Sequence, residues 1–298
     1  MSRYSGVYAA LLTPRDVRGE LDLQSFTGQF HTPAASGLSG YAVAGATGEF
    51  TFTTESDLEA IMTTAREAVP DTDILCGIGA CDVRGTVARA RIAARVGATA
   101  VLLPMPSFFP YRQDDLIRFV TAVADEVQLP VLLYNLPQFT SGLQVETVMG
   151  LLQHNNIVGI KDSSGSLDIV RAMTAAQIDA ARLIGNDGAL CAAMEQGLCD
   201  GVVSGVACTL PELMTALFAT QGGGRAFATY KQLLDEFIEH LGTLPTPWGL
   251  KVTSAVRGFT HESYPFPLSE QRTMETDELR TWFSTWVCKA TNTKAIMT

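Results

Sequence analysis

The feature that most constrains the fold is an alternation of short apolar runs with segments of helical spacing. Eight runs have the length and composition of buried strands. They span residues 6–12, 40–44, 74–78, 99–103, 131–134, 157–161, 183–185 and 201–204. Eight strands that alternate with helices predict an α/β protein with a (β/α)8 TIM barrel. The competing architecture, a doubly wound open sheet, usually has fewer strands and a glycine-rich turn after the first, which Thr13-Pro14-Arg15-Asp16 does not provide.

The segments between the strands carry apolar residues at helical spacing. They span residues 55–69, 84–96, 114–127, 144–154, 166–178, 187–197 and 210–220. Thr54 followed by Asp57 resembles a capping box, and Gly97 is typical of a helix stop. After about residue 221, further helical segments follow without strands, at 225–241, 248–258 and 269–291. We therefore predict a barrel domain over residues 1–221 and a C-terminal helical extension, residues 222–298, packed on the barrel.

The composition argues against several classes of protein. The 298 residues are 47% hydrophobic and 17% charged, which supports a large ordered core. The net charge of −10 argues against general binding to nucleic acid or to anionic membranes. No apolar run approaches the roughly 20 residues that cross a membrane, and the first six residues lack the apolar core of a signal peptide. The six cysteines form no C-x-x-C pair and the four histidines form no metal-binding cluster. We expect a cytoplasmic protein without a metal site.

Lys161 ends the sixth apolar run, Ile157-Val158-Gly159-Ile160. A lysine at the end of a buried strand is partly desolvated, and burial favours the neutral amine that a nucleophile requires. Gly159 lies on the same strand face and is expected to leave room for the lysine side chain. The alternative is an ordinary strand-end lysine whose amine reaches solvent.

Other candidate groups follow the ends of neighbouring strands, where barrel active sites are built. Tyr134 ends the run next to that of Lys161, and adjacent strands lie about 4.8 Å apart. The turn at residues 45–49, Gly-Ala-Thr-Gly-Glu, can direct backbone N–H groups and the Thr47 hydroxyl at an anion. Glu49 is either an acid/base or a partner for local backbone groups, and Asp187 is expected to cap the seventh helix.

Three of these stretches together resemble the dihydrodipicolinate synthase / N-acetylneuraminate lyase superfamily of class I aldolases. They are residues 45–49, 134–137 (Tyr-Asn-Leu-Pro) and 159–162 (Gly-Ile-Lys-Asp). The resemblance covers essentially the whole chain. It implies a (β/α)8 barrel with a C-terminal helical extension, a homotetramer built as a dimer of dimers, and a pyruvate-type 2-oxo acid as substrate. It implies no metal and no organic cofactor.

The resemblance also implies a role for each matching residue. Lys161 would hold the 2-oxo acid as a Schiff base, and Tyr134 matches the proton donor and acceptor. Thr47 matches the second position of a Thr-Thr or Ser-Thr pair that holds the substrate carboxylate. Val203 matches the branched residue whose backbone borders the pyruvyl group, and Gly185 the small residue beside it.

Three positions depart from the pattern of the synthases. Ala46 stands where the family usually has the first Thr or Ser of the pair, and Phe108 where the synthase has a tyrosine that reaches a neighbouring subunit's site. Two relay hydroxyls are therefore missing. Phe139 falls where the synthase carries an arginine for the second substrate's carboxylate, and a phenyl ring cannot replace that bidentate cation. The motifs look more like those of 2-keto-3-deoxy sugar acid aldolases and dehydratases.

We therefore expect a Schiff-base lyase that cleaves, condenses or dehydrates a 2-oxo acid derived from a sugar acid. Two alternatives stay open at this point. A 4-hydroxy-tetrahydrodipicolinate synthase would need Arg112 or another cation in place of the missing arginine. A 2-oxo-acid-binding protein with little catalysis would account for the loss of two relay hydroxyls.

Overall fold

The computed structural model describes residues 3–30, 37–220, 222–242 and 244–292. Its centre is a set of eight strands, close to the predicted positions. They are β1 (Gly6–Ala10), β2 (Gly40–Val43), β3 (Asp73–Gly77), β4 (Ala100–Pro104), β5 (Val131–Asn135), β6 (Ile157–Asp162), β7 (Ala181–Ile184) and β8 (Gly201–Ser204). Each strand pairs in parallel with the next, and β8 pairs with β1 to close a barrel. The predicted (β/α)8 TIM barrel is confirmed.

The barrel helices alternate with the strands along the chain. They are α1 (Leu23–Gly28), α2 (Glu55–Ala68), α3 (Val83–Val96), α4 (Gln113–Glu126), α5 (Val145–Leu151), α6 (Asp168–Ala175), α7 (Asp187–Glu195) and α8 (Pro211–Ala219). Thr54 and Asp57 form the predicted capping box of α2, and Gly97 ends α3 in the left-handed conformation. Helix α1 lies outside the predicted segments, because it has only six residues and buries only Phe26.

Strand residues face alternately into the barrel and out towards the helices. In β5, Leu132 and Tyr134 belong to an inner apolar cluster, while Leu133 belongs to a larger outer cluster between strands and helices. In β6, Ile160 belongs to the outer cluster. The next residue, Lys161, therefore faces the interior of the barrel.

An irregularity in the pairing of β5 with β6 sets which residues face each other. Val131 pairs with Ile157, but the following residue, Leu132, pairs with Gly159. The extra residue in β6 is a bulge, and it advances the register by one position from there onwards. As a result Tyr134 pairs with Lys161.

Three further helices complete the described chain: α9 (Gly224–Leu241), α10 (Trp248–Val256) and α11 (Glu270–Thr291). Helix α9 packs on α7 and α8, and α11 packs on α8 and α9. Helix α10 contacts α11 and a short 3-10 helix, Val206–Cys208, that follows β8. These helices contact the barrel helices directly. The division into a barrel domain, residues 1–221, and a separate extension, residues 222–298, stays a prediction. Across the described ranges, every helix falls short of the length and hydrophobicity that crossing a lipid bilayer would need.

Candidate active site

Lys161 and Tyr134 meet inside the carboxyl end of the barrel. Both residues are buried, with 3% and 2% of their surfaces exposed. The Lys161 Nζ lies 4.0 Å from the centroid of the Tyr134 ring. Their strands are neighbours and the two residues share one register position, so the amine and the phenol project from the same level of the barrel. The alternative interpretation of Lys161, a strand-end lysine whose amine reaches solvent, is therefore wrong, because the side chain is buried.

A cavity of about 280 Å³ opens above this pair. Seven of the eight residues that the family resemblance singled out line it. They are Ala46, Thr47, Tyr134, Phe139, Lys161, Gly185 and Val203. Residues from five different strand ends therefore converge on one volume, which is large enough for a small organic acid.

Phe108 is the exception, because it lies outside the lining of this cavity. Its side chain is 88% exposed, and its ring contacts that of Phe109 edge-on, with centroids 4.9 Å apart. Its backbone φ is 82°, in the left-handed region that phenylalanine seldom adopts. A role for Phe108 at the site of a neighbouring subunit stays a prediction.

The turn after β2 leaves polar groups free at one end of the cavity. The N–H of Glu49 donates to the carbonyl of Ala46, and the N–H of Phe50 to that of Gly45, which closes a tight loop. Within the ranges that the structure describes, the N–H groups of Ala46 and Thr47 and the Thr47 hydroxyl have no hydrogen-bond partner. Three donors on a closed loop can together bind a carboxylate.

Glycine provides the space for Lys161, but not at the position expected. A Cβ on Gly159 would meet the backbone oxygen of Ala181 at 2.4 Å, so this glycine admits the neighbouring strand rather than the lysine. At Gly185, a Cβ would lie 2.1 Å from Ser163 Oγ and 2.8 Å from Lys161 Cε. The expectation for Gly159 is therefore corrected: Gly185 on the adjacent strand end leaves the room.

Asp187 does not cap α7 as expected. Asn186 is the N-cap, and its side chain accepts a hydrogen bond from the N–H of Gly188 at 3.0 Å. The Asp187 carboxyl turns to the cavity instead, where Oδ2 accepts from the N–H of Val206 at 3.1 Å. Burial raises the pKa of this carboxyl above its ordinary value, against the lowering effects of nearby Ser204, Val206 and Lys161.

Two buried polar atoms of the cavity lining are left without partners. Among the described residues, nothing hydrogen-bonds to Ser163 Oγ or to Asp187 Oδ1. Buried polar atoms usually have partners, so unsatisfied ones beside a cavity indicate where a ligand can bond. Asp187 could have been found from its place just after the seventh strand, whereas nothing in the sequence sets Ser163 apart from the serines around it.

The C-terminal helices contribute the far wall of the cavity. Ile238 and Leu241 come from α9, and Leu250 comes from α10. Sequence reasoning missed all three, because apolar residues on an amphipathic helix are indistinguishable from ordinary packing residues. The extension therefore takes part in the site as well as in the packing of the barrel.

The charge of the cavity is set by few groups. In the part of the chain that the structure describes, Lys161 is the only Lys, Arg or His in the lining. Arg112, which the synthase alternative required, is 79% exposed and pairs with Asp114 away from the cavity. No cluster of three or more His, Cys, Asp or Glu side chains suited to a metal ion occurs among the described residues.

Comparison with known proteins finds a matching family and relatives that belong to it. The model of the dihydrodipicolinate synthetase family matches residues 3–285. The 4-hydroxy-tetrahydrodipicolinate synthase of Stenotrophomonas maltophilia (strain R551-3) is 32% identical over 263 residues, which cover 87% of this chain and 88% of the relative.

Solved structures share the fold at lower identity. The chloride-inhibited dihydrodipicolinate synthase of Acinetobacter baumannii, complexed with pyruvate, superposes with a TM-score of 0.85 at 24% identity, covering 94% of this chain and 98% of that one. The N-acetylneuraminate lyase of Mycoplasma synoviae gives 0.80 at 18% identity, covering 94% and 97%. With the family match over almost the whole chain, these findings show that the protein belongs to the dihydrodipicolinate synthetase family, within the superfamily of class I, pyruvate-dependent, Schiff-base-forming lyases.

Proposed function

We propose that Lys161 is the Schiff-base residue of this lyase and that its substrate is a 2-oxo acid. The observation that carries the proposal is the buried pair of Lys161 and Tyr134 at the floor of the cavity, 4.0 Å from amine to ring centroid. The amine lies in the lining of the cavity, where it can attack the carbonyl carbon of a bound ketone. The loop that carries Ala46 and Thr47 offers three free donors for the substrate carboxylate.

The steps follow from these groups. The neutral Lys161 amine attacks the keto carbon, and the carbinolamine loses water to give a protonated imine. In cleavage, the imine accepts the electron pair of the bond between the third and fourth substrate carbons while the hydroxyl on the fourth carbon loses its proton, and the enamine that results is then protonated at the third carbon. In dehydration, the imine accepts the electron pair of a C–H bond on the third carbon, and the enamine expels the hydroxyl of the fourth carbon as water. Hydrolysis of the imine releases the product and frees Lys161. Tyr134 carries protons to and from the carbinolamine and the leaving oxygen. Thr47 and its loop hold the carboxylate, with Gly185 and the backbone at Val203 beside the pyruvyl group.

The experiment that tests the proposal is reductive trapping. The protein is incubated with pyruvate and borohydride, and the modified residue is mapped by intact mass and peptide digestion. We expect a single pyruvyl adduct on Lys161 and none in Lys161→Ala. Lys231→Ala is the matched control, because Lys231 lies on the surface and pairs with Asp235. This variant should give the same adduct on Lys161 as the wild type. Folded wild-type protein without an adduct would contradict the proposal.

The finer proposal is that the 2-oxo acid is a 2-keto-3-deoxy sugar acid. Its support is the resemblance of the motifs and the presence of Ser163 Oγ and Asp187 Oδ1, two unsatisfied polar atoms that suit substrate hydroxyls. A panel of such acids, assayed for release of pyruvate and for loss of water, distinguishes aldol cleavage from dehydration. Turnover of none of them would remove this substrate class.

A second candidate is 4-hydroxy-tetrahydrodipicolinate synthase activity, favoured by the name of the 32% identical relative. Against it stand Phe139 in the cavity lining and the distance of Arg112 from the site. Condensation of pyruvate with aspartate semialdehyde would establish it, and failure to condense them, with trapping intact, would remove it.

The proposal includes a homotetramer, a dimer of dimers, in the cytoplasm. All six cysteines are free thiols, as expected in a reducing compartment. Light scattering coupled to gel filtration measures the assembly, and the mass of one or two chains would contradict the tetramer.

A further inference from the structure

An ion pair joins helix α10 of the C-terminal extension to the loop after β2. Lys251 on α10 places its Nζ 2.7 Å from Oε2 of Glu49, the last residue of the loop after β2. The Lys251 side chain is buried and that of Glu49 is largely buried, with 4% and 12% of their surfaces exposed. Burial lowers the pKa of Lys251 from its ordinary value, while the charge and hydrogen bond of Glu49 act in the opposite direction. Breaking a buried pair on one side leaves an uncompensated charge, so each partner constrains the other.

Lys251 is itself fixed by two further contacts. Its Nζ donates to the carbonyl of Ser263 and lies 5.6 Å from the centroid of the Tyr264 ring. The ammonium therefore has a carboxylate, a carbonyl and an aromatic face around it, and its position is set by the extension rather than by the barrel. Within the described residues, the Glu49 carboxylate has no ion pair or hydrogen bond other than the one with Lys251, so Lys251 fixes the side chain at the end of the loop.

The loop that Glu49 ends is conformationally strained at both of its ends. Ala44 has a φ of 51° and Glu49 a φ of 52°, both in the left-handed region. For residues other than glycine this conformation costs about 1–2 kcal/mol each, and it persists only where the surroundings hold it. Between these two residues lie the free N–H groups of Ala46 and Thr47. A loop under strain needs an anchor if its donors are to stay aligned.

Helix α10 reaches the same loop from the cavity side as well. A Cβ on Gly205 would lie 3.1 Å from Leu250 Cδ1 and 3.5 Å from Thr47 Oγ1, so the Leu250 methyl and the Thr47 hydroxyl flank one glycine. Leu250 lines the cavity, and Lys251, the next residue, holds the far end of the loop. One turn of α10 thus places Leu250 near Thr47, on the other side of Gly205, and Lys251 at the end of the loop that Glu49 ends.

We propose that Lys251 is a positioning residue for the 2-oxo acid carboxylate: through Glu49 it holds the strained loop so that the donors of Ala46 and Thr47 point into the cavity. The inference rests on the proposed function, because it assigns the loop to the substrate carboxylate. It makes the C-terminal extension part of the substrate-binding machinery. Neither Lys251 nor Glu49 is among the residues that line the cavity, so both act on the substrate only through the loop.

The test compares Lys251→Met with the wild type in the trapping assay. We expect the pyruvate concentration for half-maximal trapping to rise about 10- to 100-fold, since misplaced positioning groups cost factors of this order. The maximal trapping rate should change less than about threefold, because Lys161 and Tyr134 keep their places. The double variant Lys251→Met with Glu49→Gln removes both charges. It should recover folding if the single variant is unstable, but it should not recover affinity, because the anchor is still missing.

A matched ion pair provides the control. Arg257, just after α10, lies 2.6 Å from Glu212 on α8, with side chains 15% and 18% exposed. Arg257→Met also removes a largely buried ion pair between the extension and the barrel, but neither partner of this pair belongs to the loop. We expect it to lower the melting temperature and to leave half-maximal trapping unchanged.

The outcomes separate the two proposals. A wild type that traps pyruvate, with Lys251→Met and Arg257→Met equal in half-maximal trapping and both less stable, would overturn the positioning role and leave the proposed function standing. A wild type without any adduct would overturn the proposed function itself, and the positioning role with it. A selective rise for Lys251→Met, repeated in the double variant, establishes the role.

Discussion

Asn135 donates a hydrogen bond from Nδ2 to Oδ1 of Asp162 at 3.0 Å, one residue beyond the pair of Tyr134 and Lys161. The same Oδ1 accepts from the N–H of Ser164 at 2.9 Å, and Asn135 Oδ1 accepts from the N–H of Leu143 at 3.0 Å. These bonds tie together the ends of β5 and β6. The backbone that presents the amine and the phenol is therefore fixed by a buried polar pair directly behind them.

The first prediction concerns Asp162. Burial raises the pKa of its carboxyl above the ordinary 3.8, more than its hydrogen bonds from Ser164 and Asn135 lower it. The folded protein then binds this proton more tightly than the unfolded chain. The resulting stability is fully present below about pH 3.8 and is lost as the pH rises through the folded pKa. Asp162→Asn keeps an acceptor for both hydrogen bonds and does not titrate.

The free energy of unfolding of the wild type, minus that of Asp162→Asn, should therefore be largest at acid pH. It should fall by about 1.4 kcal/mol for each unit of raised pKa as the pH increases, and then level off. Urea unfolding of both proteins at several pH values measures it. A difference that stays constant between about pH 4 and about pH 7 would contradict a raised pKa.

The second prediction concerns Tyr134. Tyr134→Phe keeps the ring over Lys161 and removes only the hydroxyl. We expect turnover to fall about 10²- to 10⁴-fold, because a positioned acid/base contributes factors of this size. Trapping by borohydride should remain possible, though slower. Tyr41→Phe is the control, since Tyr41 is buried in the outer cluster and does not line the cavity. Full turnover in Tyr134→Phe would assign the proton transfers to another group.

The third prediction concerns Gly185. In Gly185→Ala the new methyl group must displace Ser163 Oγ and the Lys161 chain, which lie 2.1 and 2.8 Å from its position. The serine can rotate away, but the lysine cannot move without changing the direction of its amine. Adduct formation should slow about 10- to 100-fold, a cost expected of a misplaced nucleophile. Gly150→Ala in α5 is the control, because nothing lies within 4 Å of its Cβ position. An unchanged rate in Gly185→Ala would show that the lysine adapts.

The spacing of apolar runs was sufficient to predict the barrel, because eight strands with intervening helices have few other arrangements. The same pattern placed Tyr134 and Lys161 on adjacent strand ends. It could not show that they face each other, since this depends on the bulge beside Val131: without the register shift Tyr134 would pair with Ile160. Periodicity along one strand does not reveal an irregularity between two.

Contacts between distant parts of the chain were also beyond the sequence. The pair of Glu49 and Lys251 joins residues from opposite ends of the chain, and neither belongs to a motif that names the other. Gly159 and Gly185 are both small residues near Lys161, and only their Cβ environments show which one makes room for it. Asp187 could equally cap a helix or face the cavity until the side chain of Asn186 is seen to occupy the cap.

The fourth prediction concerns Phe139 and the charge of the second substrate. This ring lines the cavity and is 55% exposed, so an arginine there would meet little steric resistance. Phe139→Arg adds a second cation beside Lys161, in a form that binds carboxylates through two parallel hydrogen bonds. We expect its KM for an aldehyde that carries a carboxylate, succinic semialdehyde, to fall at least about tenfold, equivalent to about 1.4 kcal/mol. The KM for an uncharged aldehyde of similar length should change little.

Phe139→Lys is the control variant. It supplies a point charge without the planar guanidinium and should lower the KM for succinic semialdehyde by a smaller factor. Equal effects on both aldehydes would mean that Phe139 only shapes the cavity and does not determine which charge the second substrate carries.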